Sequence, residues 1–152
     1  MKSSDILWSA LGATIAISLA LLIAGDRTSP FLLFSLGGST VFLFALTETE
    51  SAQPRALFGG HLGGAAIGIL CFQLFGDGLW VLVMAVVLTM VYMIVTRTIH
   101  PPAGANPLIM AHQHAGISSL VMPVGAGVLT LFLIALLWSR VRPGKQYPIK
   151  WW

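Results

Sequence analysis

Long runs of apolar residues alternate along the chain with short clusters of glycine, proline and charged residues. Four of these runs, at about 6–25, 57–75, 79–96 and 119–138, are long enough to predict membrane-spanning helices, because a hydrocarbon core of about 30 Å needs about 20 apolar residues. The clusters between the runs, such as Gly76-Asp77-Gly78, are typical of helix connections. The pattern therefore predicts a polytopic helical membrane protein.

Two further apolar segments are shorter and contain residues that interrupt helices. The first segment, 30–46, is interrupted by glycines and hydroxyl residues at 37–40, and the second, 99–112, by prolines, glycine and asparagine at 101–107. Glycine weakens a helix through its backbone freedom, and proline removes an N–H donor. We predict that each segment crosses the membrane as a broken helix.

The basic residues distinguish four crossings from six, because Lys and Arg concentrate on the cytoplasmic side of membrane proteins. With four crossings and a cytoplasmic N-terminus, 5 basic residues fall inside and 3 outside. With six crossings, Arg55 and Arg97 also fall inside, and Arg27 is then the one basic residue outside. Six crossings with both termini cytoplasmic therefore fit better.

Composition supports a location in lipid. Of the 152 residues, 57% are hydrophobic and 9% are charged, whereas soluble domains carry about 25% charged residues. The formal net charge of +3 comes from scattered residues and not from a basic stripe, so we expect no nucleic acid partner. We expect an integral protein of a bacterial cell (inner) membrane.

The two halves of the chain show a weak internal repeat at an offset of 66 residues. This offset places Thr40 over Asn106, and both residue types are favoured at a helix N-cap. The predicted fold class is all-α, with two inverted three-segment repeats that each contain a broken middle helix. The single transmembrane domain at 1–152 would comprise repeat 1 at about 6–75, repeat 2 at about 79–140, and a basic and aromatic tail at 140–152 that anchors at the interface.

The two breaks predict where a binding site lies, because unpaired backbone groups are costly in lipid and must face protein or a wet cavity. In the six-crossing arrangement, half-helices start near the midplane at Thr40 and at Asn106, so two positive helix N-termini face each other. Such a pair favours a small anion. The predicted substrate-binding residues are Gly37, Gly38, Ser39, Thr40, His100, Gly104, Ala105 and Asn106.

Three further residues, Arg55, His61 and Arg97, are predicted to line a vestibule or to gate the path. A guanidinium pairs well with a planar oxyanion, and an imidazole titrates near neutrality, so His100 is also a candidate for proton coupling. The alternatives are that the arginines are topological anchors, that the histidines are satisfied interior side chains and that the glycines only allow close helix packing. We predict no cofactor and no metal site.

Six short motifs stand in order along the chain: Ser35-Leu36-Gly37-Gly38-Ser39-Thr40, Ala52-Gln53-Pro54-Arg55, Gly59-Gly60-His61, Thr96-Arg97-Thr98, His100-Pro101-Pro102, and Tyr147-Pro148 with Trp151-Trp152. Together they resemble the motifs of the HPP family of integral membrane proteins. The resemblance covers nearly the whole chain. It implies a membrane protein usually described as having four helices, and it implies nitrite transport, which is associated with some members.

The leading hypothesis is a transporter or channel for a small inorganic anion, with nitrite first. One alternative is a structural or regulatory membrane subunit that does not transport and that offers a groove to a partner; another is a cation or water pore. The deep polar residues are donors without an acidic partner, so we do not predict an enzyme. The expected partners are the anion, the lipid bilayer and further copies of the chain in a homo-oligomer.

Overall fold

The computed structural model describes residues 3–24, 31–141 and 146–151. These residues form helices and connecting turns and contain no β-strand, which confirms the predicted all-α class. The helices are α1 (Ser3–Ala24), α2 (Phe31–Phe44), α3 (Pro54–Phe75), α4 (Leu79–Thr96), α5 (Asn106–His112) and α6 (Ala126–Val141). Short 3₁₀ turns at Glu50–Ala52 and Pro101–Ala105 precede α3 and α5, and a π-type turn at Leu120–Gly125 precedes α6.

Four helical stretches in the described residues are long and apolar enough to cross a membrane: Ser3–Ala24, Pro54–Phe75, Leu79–Thr96 and Leu120–Val141. They coincide with the four long helices predicted from the sequence. The last stretch bends at Pro123, whose ring nitrogen carries no hydrogen to donate and whose neighbour Met122 leaves helical dihedral angles. Each of the four is partly buried within the described chain and exposes the rest of its apolar surface.

One end of the molecule, here called the basic end, carries the described basic residues Arg55, Arg97, Arg140 and Lys150. There Arg55 Nη2 donates to the carbonyl of Thr96 at 2.7 Å. At the same end, Lys150 contacts the carboxylate of Glu50. The start of α1 and the end of α6 also meet there, because the indole rings of Trp8 and Trp138 stack at 4.3 Å.

The opposite end of the molecule is marked by His114 and Asp77. The imidazole Nε2 of His114 lies 3.3 Å from the Asp77 carboxylate, and the ring stacks on Phe72 at 4.3 Å. The segment 99–112 begins at the basic end, where His100 contacts Ser51, and ends beside these residues. This short segment therefore runs alongside α3 from Gly60, next to His100, to Gly68, next to Pro107.

The helix α2 traverses the molecule in the other direction. Near its start, the Leu36 side chain lies 2.7 Å from the Cβ that an alanine would add at Gly127. Gly127 follows the start of α6, and its added Cβ would also lie 3.3 Å from Ala24 at the end of α1. Among the described residues, α2 and the segment 99–112 thus lie alongside the long helices, and six crossings stay a prediction.

The predicted break in the first short segment is wrong. The helix α2 is continuous from Phe31 to Phe44 through Gly37 and Gly38, and the Thr40 hydroxyl donates to the Gly37 carbonyl at 2.7 Å instead of capping a new helix. Two glycines cost a helix about 1 kcal/mol each. Unpaired backbone groups cost more than that in an apolar layer, so the helix continues.

The predicted break in the second short segment is confirmed, although its helix does not start where we expected. His100 is extended, with φ −130° and ψ 97°, and the 3₁₀ turn Pro101–Ala105 passes directly into α5. The residue before α5, Ala105, is itself helical, and no side chain caps this helix. Asn106 is therefore not an N-cap, and the predicted pair of opposed helix N-termini at Thr40 and Asn106 does not exist.

Helix packing follows the small residues of α3. A Cβ added at Gly68 would lie 2.6 Å from the backbone of Pro107, and one added at Gly64 would lie 3.1 Å from the carbonyl of Ala103. The glycine face of α3 therefore receives the segment 99–112 at backbone distance, as expected of a packing seam. In addition, α1 packs against α6, and α3 packs against α4. The predicted inverted repeat, which would relate the two halves by a two-fold axis, stays a prediction.

Candidate functional site

Four buried polar side chains meet where α2, α3 and the segment 99–112 come together. We call Ser39, His61, His100 and Asn106 the polar cluster. Their exposed fractions are 0%, 1%, 0% and 0%. Each comes from a different place in the chain: α2, α3, the residue before the 3₁₀ turn, and the start of α5. The structure thus unites three predicted binding residues with one predicted gating residue.

The serine is the centre of the polar cluster. Its Oγ lies 2.8 Å from Nε2 of His61 and 2.9 Å from Nε2 of His100. It also lies 2.9 Å from the carbonyl oxygen of Ser35, one turn earlier in α2. One hydroxyl on an unbroken helix therefore bridges both histidines.

Each histidine has a second partner on its other ring nitrogen. Nδ1 of His100 lies 2.6 Å from the carbonyl oxygen of Ser51 in the loop before α3. Nδ1 of His61 lies 2.9 Å from Nδ2 of Asn106, and the same amide nitrogen donates to the His61 carbonyl at 3.0 Å. Both imidazoles are therefore fixed in orientation from two sides.

The proton positions follow from the carbonyl groups, which only accept hydrogen bonds. Because Ser51 offers a carbonyl, the neutral ring of His100 carries its proton on Nδ1 and accepts at Nε2. Because the His61 carbonyl faces the Asn106 amide, the atom there is nitrogen, and the neutral ring of His61 then carries its proton on Nε2. The hydrogen bonds therefore run from Asn106 through His61 to Ser39, and from His100 to Ser51. The one hydroxyl hydrogen of Ser39 faces two acceptors, the Ser35 carbonyl and Nε2 of His100.

One acceptor of the polar cluster has no partner. The Asn106 side-chain oxygen is buried and has no hydrogen-bond partner among the described residues. Within that part of the chain, every polar hydrogen of the neutral cluster already has an acceptor. The neutral cluster therefore offers a free acceptor and no free donor.

Two glycines allow the polar cluster to form. A Cβ at Gly60 would lie 3.0 Å from Cβ of His100, and one at Gly38 would lie 3.0 Å from Cβ of Pro102. Both distances are tighter than ordinary carbon contacts. Larger side chains at these two positions would push the segment 99–112 away from α3 and from α2, so glycine sets the distance between the histidines.

Other predicted binding residues lie outside the polar cluster. A Cβ added at Gly37 or at Gly104 would meet no atom within 4 Å, so these glycines do not hold the cluster together. Thr40 bonds within its own helix, and Ala105 packs against the hydrophobic core. Of the predicted binding residues, Ser39, His100 and Asn106 are thus in the hydrogen-bonded site, and Gly38 supports it by close packing.

The predicted vestibule residues lie at the basic end. Arg55 is half-buried and donates to the last carbonyl of α4, while Arg97 is exposed and adopts a left-handed conformation, φ 56°, that ends α4. Both arginines thus have a structural role at a helix end, and a contact with substrate stays a prediction. A surface depression beside them is lined by Pro54, Arg55, Phe58, Gly59, Tyr92, Thr96, Thr98 and Trp151.

Sequence reasoning missed the loop that positions His100. The Gln53 amide nitrogen donates to the carbonyls of Thr47 and Thr49 at 2.8 and 2.9 Å, and its oxygen accepts from the Ile149 N–H at 3.0 Å. This glutamine therefore fixes the loop that presents the Ser51 carbonyl. The motif resemblance was the one sequence signal for it.

The C-terminal tail also supports the loop that presents the Ser51 carbonyl. The Tyr147 hydroxyl donates to the Ala52 carbonyl at 2.8 Å, and burial raises the pKa of the Tyr147 phenol. Its side chain is 1% exposed, so the prediction that Tyr147 anchors at the membrane interface is wrong. The motifs at 52–55 and 147–148 form one contact, which we call the tail latch.

The fold and the polar cluster together define a polytopic helical membrane protein with a buried histidine pair. The chain matches the family described as HPP, transmembrane region, over residues 1–148. It therefore belongs to the HPP transmembrane-region family.

Two curated relatives are both transmembrane proteins of Dictyostelium discoideum. One is 35% identical, with 97% of this chain and 51% of the relative aligned. The other is 29% identical, with 97% and 56% aligned. The chain thus spans about half the length of these relatives. No solved structure matches it.

Proposed function

We propose that this chain moves a small inorganic anion, nitrite first, across the membrane by way of the polar cluster. The observation that carries the proposal is the burial of four polar side chains, at most 1% exposed, inside an otherwise apolar helical layer. Polar and ionisable groups are expensive at membrane depth and typically mark a path for substrate or protons. Nothing in helix packing alone requires two histidines and an asparagine at this place.

Depth supports the proposal. His61 is the eighth residue of the 22-residue helix α3, so it lies about 11 Å from the start of a helix about 33 Å long. The polar cluster is therefore inside the layer and not at its surface. A solute that reached it from the basic end would already have left the headgroup region.

The distribution of basic residues supports an anion as the substrate. The described basic residues gather at the basic end, and Arg55 lines the depression there together with Thr98. A cluster of positive charge raises the local concentration of anions. By the positive-inside rule this end is cytoplasmic. The association of some HPP proteins with nitrite transport makes nitrite the first candidate.

Passage requires a conformational change, because the polar cluster is closed toward both ends. We expect the movement to occur in the segment 99–112. Its backbone lacks a continuous hydrogen-bond ladder at Pro101 and Pro102, where two N–H donors are missing. The unbroken α2 and α3 would then serve as the fixed walls. Hinges of this kind absorb dihedral changes in a few residues.

The test is uptake of nitrite into liposomes that contain the purified full chain as the one protein. We expect uptake above that of protein-free liposomes, and we expect Ser39→Ala to lower the initial rate at least tenfold. Thr14→Ala is the matched control, since Thr14 also bonds back to its own helix, at 2.8 Å, but on an exposed face of α1. Equal loss of uptake in both variants would contradict a specific role for the polar cluster.

A structural or regulatory subunit is the second candidate, and the pairing of every polar hydrogen of the cluster favours it. A buried network of this kind can hold helices in one arrangement without any substrate. This alternative expects no flux from the chain alone and a loss of thermal stability in Ser39→Ala. Flux that selects nitrite over chloride and sodium supports the anion transporter and excludes both the subunit and a cation pore.

A further inference from the structure

The polar cluster uses all of its hydrogen-bond donors when both imidazoles are neutral. It holds five polar hydrogens: two on the Asn106 amide and one each on His61, Ser39 and His100. Each of them faces an acceptor within the protein. The hydrogen-bonded acceptors include three backbone carbonyls, those of Ser35, Ser51 and His61, which cannot change roles.

An inorganic anion brings only acceptors to this place. In a buried site it would need at least one or two donors to replace its water, since an unpaired buried charge is strongly unfavourable. The free group already present, the Asn106 side-chain oxygen, is a further acceptor, and it would repel the anion. The neutral cluster therefore does not bind an anion as it stands.

We infer that the polar cluster takes up its anion only together with one proton, so that proton and anion cross as a neutral pair. This inference rests on the proposed transport function. A proton on Nε2 of His100 would turn that nitrogen from an acceptor into a donor for the anion, while the Ser39 hydroxyl keeps the Ser35 carbonyl as its acceptor. A proton on the anion itself would supply an O–H group for the unpartnered oxygen of Asn106.

The groups around the polar cluster limit it to taking up one proton at a time. The rings of His61 and His100 lie 5.0 Å apart, so two positive charges would repel each other strongly in this apolar setting. The other ring that faces His100, Phe42, is apolar and lies 5.4 Å away. Of the elements packed on the cluster, the loop before α3 contributes Glu48 and Glu50 at the basic end. The ends of α3 and α4 contribute Arg55 and Arg97, also at the basic end, and α5 contributes His112 at the opposite end.

A proton and an anion that cross together as a neutral pair also avoid placing a net charge in the apolar layer. Carrying a bare anion through a closed apolar layer exposes a full charge to low polarity, whereas a proton with its anion carries no net charge. The two transported species arrive and leave together, and the cluster returns to its neutral state with the hydrogen bonds described above. No other reactant is needed for the cycle.

The experiment measures charge and proton movement in liposomes that contain the wild-type chain and an internal pH indicator. An inward gradient of nitrite or of nitrate is imposed at equal pH on both sides, with potassium and valinomycin setting the membrane potential. We expect internal acidification with about one proton per anion, and an uptake rate that does not change with the potential. Uptake should rise about tenfold per unit of falling external pH while the cluster is mostly unprotonated.

Nitrate distinguishes the two places for the proton, because nitric acid is too strong to carry its proton at these pH values. Proton-coupled uptake of both anions places the proton on an imidazole, and coupled uptake of nitrite alone places it on the substrate. Protein-free liposomes correct for leakage of nitrous acid. Either result supports the inference.

Anion uptake that follows the membrane potential, without acidification, overturns the inference and leaves the proposed transport function intact. Absence of any flux overturns both. The histidine variants add a second measurement: His100→Gln should lose at least nine-tenths of the proton movement, whereas His114→Gln, which changes an exposed histidine at the opposite end, should keep it. The measurements of proton movement and of potential dependence on the wild-type chain test the inference even if His100→Gln fails to fold.

Discussion

The two short apolar segments, α2 and 99–112, occupy corresponding positions in the two halves, yet only the second is broken. Both contain glycine beside a polar residue, and the first begins at Pro30, but only the second contains prolines in its interior, at 101, 102 and 107. Glycine lowers helix stability without removing a hydrogen-bond donor, and proline removes the donor itself. In an apolar layer the missing donor decides where the chain leaves the helix.

This difference assigns different tasks to the two segments. The continuous α2 holds Ser39 at a fixed height, and its hydroxyl reaches both histidines. The broken segment brings His100 and Asn106 to the same place from an extended residue and a new helix start. A rigid wall therefore faces a segment that can change conformation, which is the asymmetry that a gated site needs.

The largest effect is expected when the broken segment loses its contact with α3. Asn106→Leu removes the amide that donates to both His61 Nδ1 and the His61 carbonyl. His61 Nδ1 then lacks a donor and the His61 carbonyl loses its second one, which together cost about 2–4 kcal/mol of unfolding free energy. Thermal unfolding in detergent would measure the loss, with Thr14→Val as the control on an exposed face. A stability equal to wild type would show that the network does not hold the two elements together.

A pair of glycine substitutions compares the segments directly. Gly68→Ala places a Cβ 2.6 Å from the Pro107 backbone, and Gly37→Ala places one in open space on α2. We expect the first to destabilise by about 1–3 kcal/mol through overpacking. The second should stabilise by about 0.5–1 kcal/mol, since alanine is the better helix former. The same change in both variants, measured by unfolding in detergent, would contradict the observed packing.

The tail latch supports the broken segment through Ser51. Tyr147→Phe removes the hydrogen bond to the Ala52 carbonyl and should cost about 1 kcal/mol. Burial raises the pKa of this phenol, so the folded chain holds the proton more firmly than the unfolded chain. Stability should therefore be constant up to about pH 10, the ordinary value for tyrosine, and should fall above it. The fall should be absent from Tyr147→Phe; a fall of equal size there would assign it to another group.

The smallest effect is expected at the surface of the basic end. Lys150 contacts Glu50 and lowers the pKa of that carboxyl, but the pair is exposed, and exposed pairs contribute little. Lys150→Met should leave the unfolding temperature unchanged within error and should leave uptake unchanged. A clear loss of stability would mean that the tail latch depends on charge as well as on Tyr147.

The sequence by itself determined the class of the protein and most of its layout. Apolar runs of about 20 residues cannot be placed in water, so the four long helices follow from composition and length. The prolines at 101 and 102 lack donors in any context, so the second break was also predictable. Basic residues predicted one positive end, and the described arginines do share it.

The tertiary structure decided the rest, because the relevant forces act between residues far apart in the chain. Whether Gly37 and Gly38 break a helix depends on the surrounding layer, since a soluble chain could pair the freed groups with water and this one cannot. Ser39 meets His61 and His100 only because Gly60 and Gly38 let three backbones approach, and no local pattern encodes that distance. The ring nitrogens that carry the protons in the polar cluster are set in turn by the Ser51 and His61 carbonyls, which only the fold brings to His100 and Asn106.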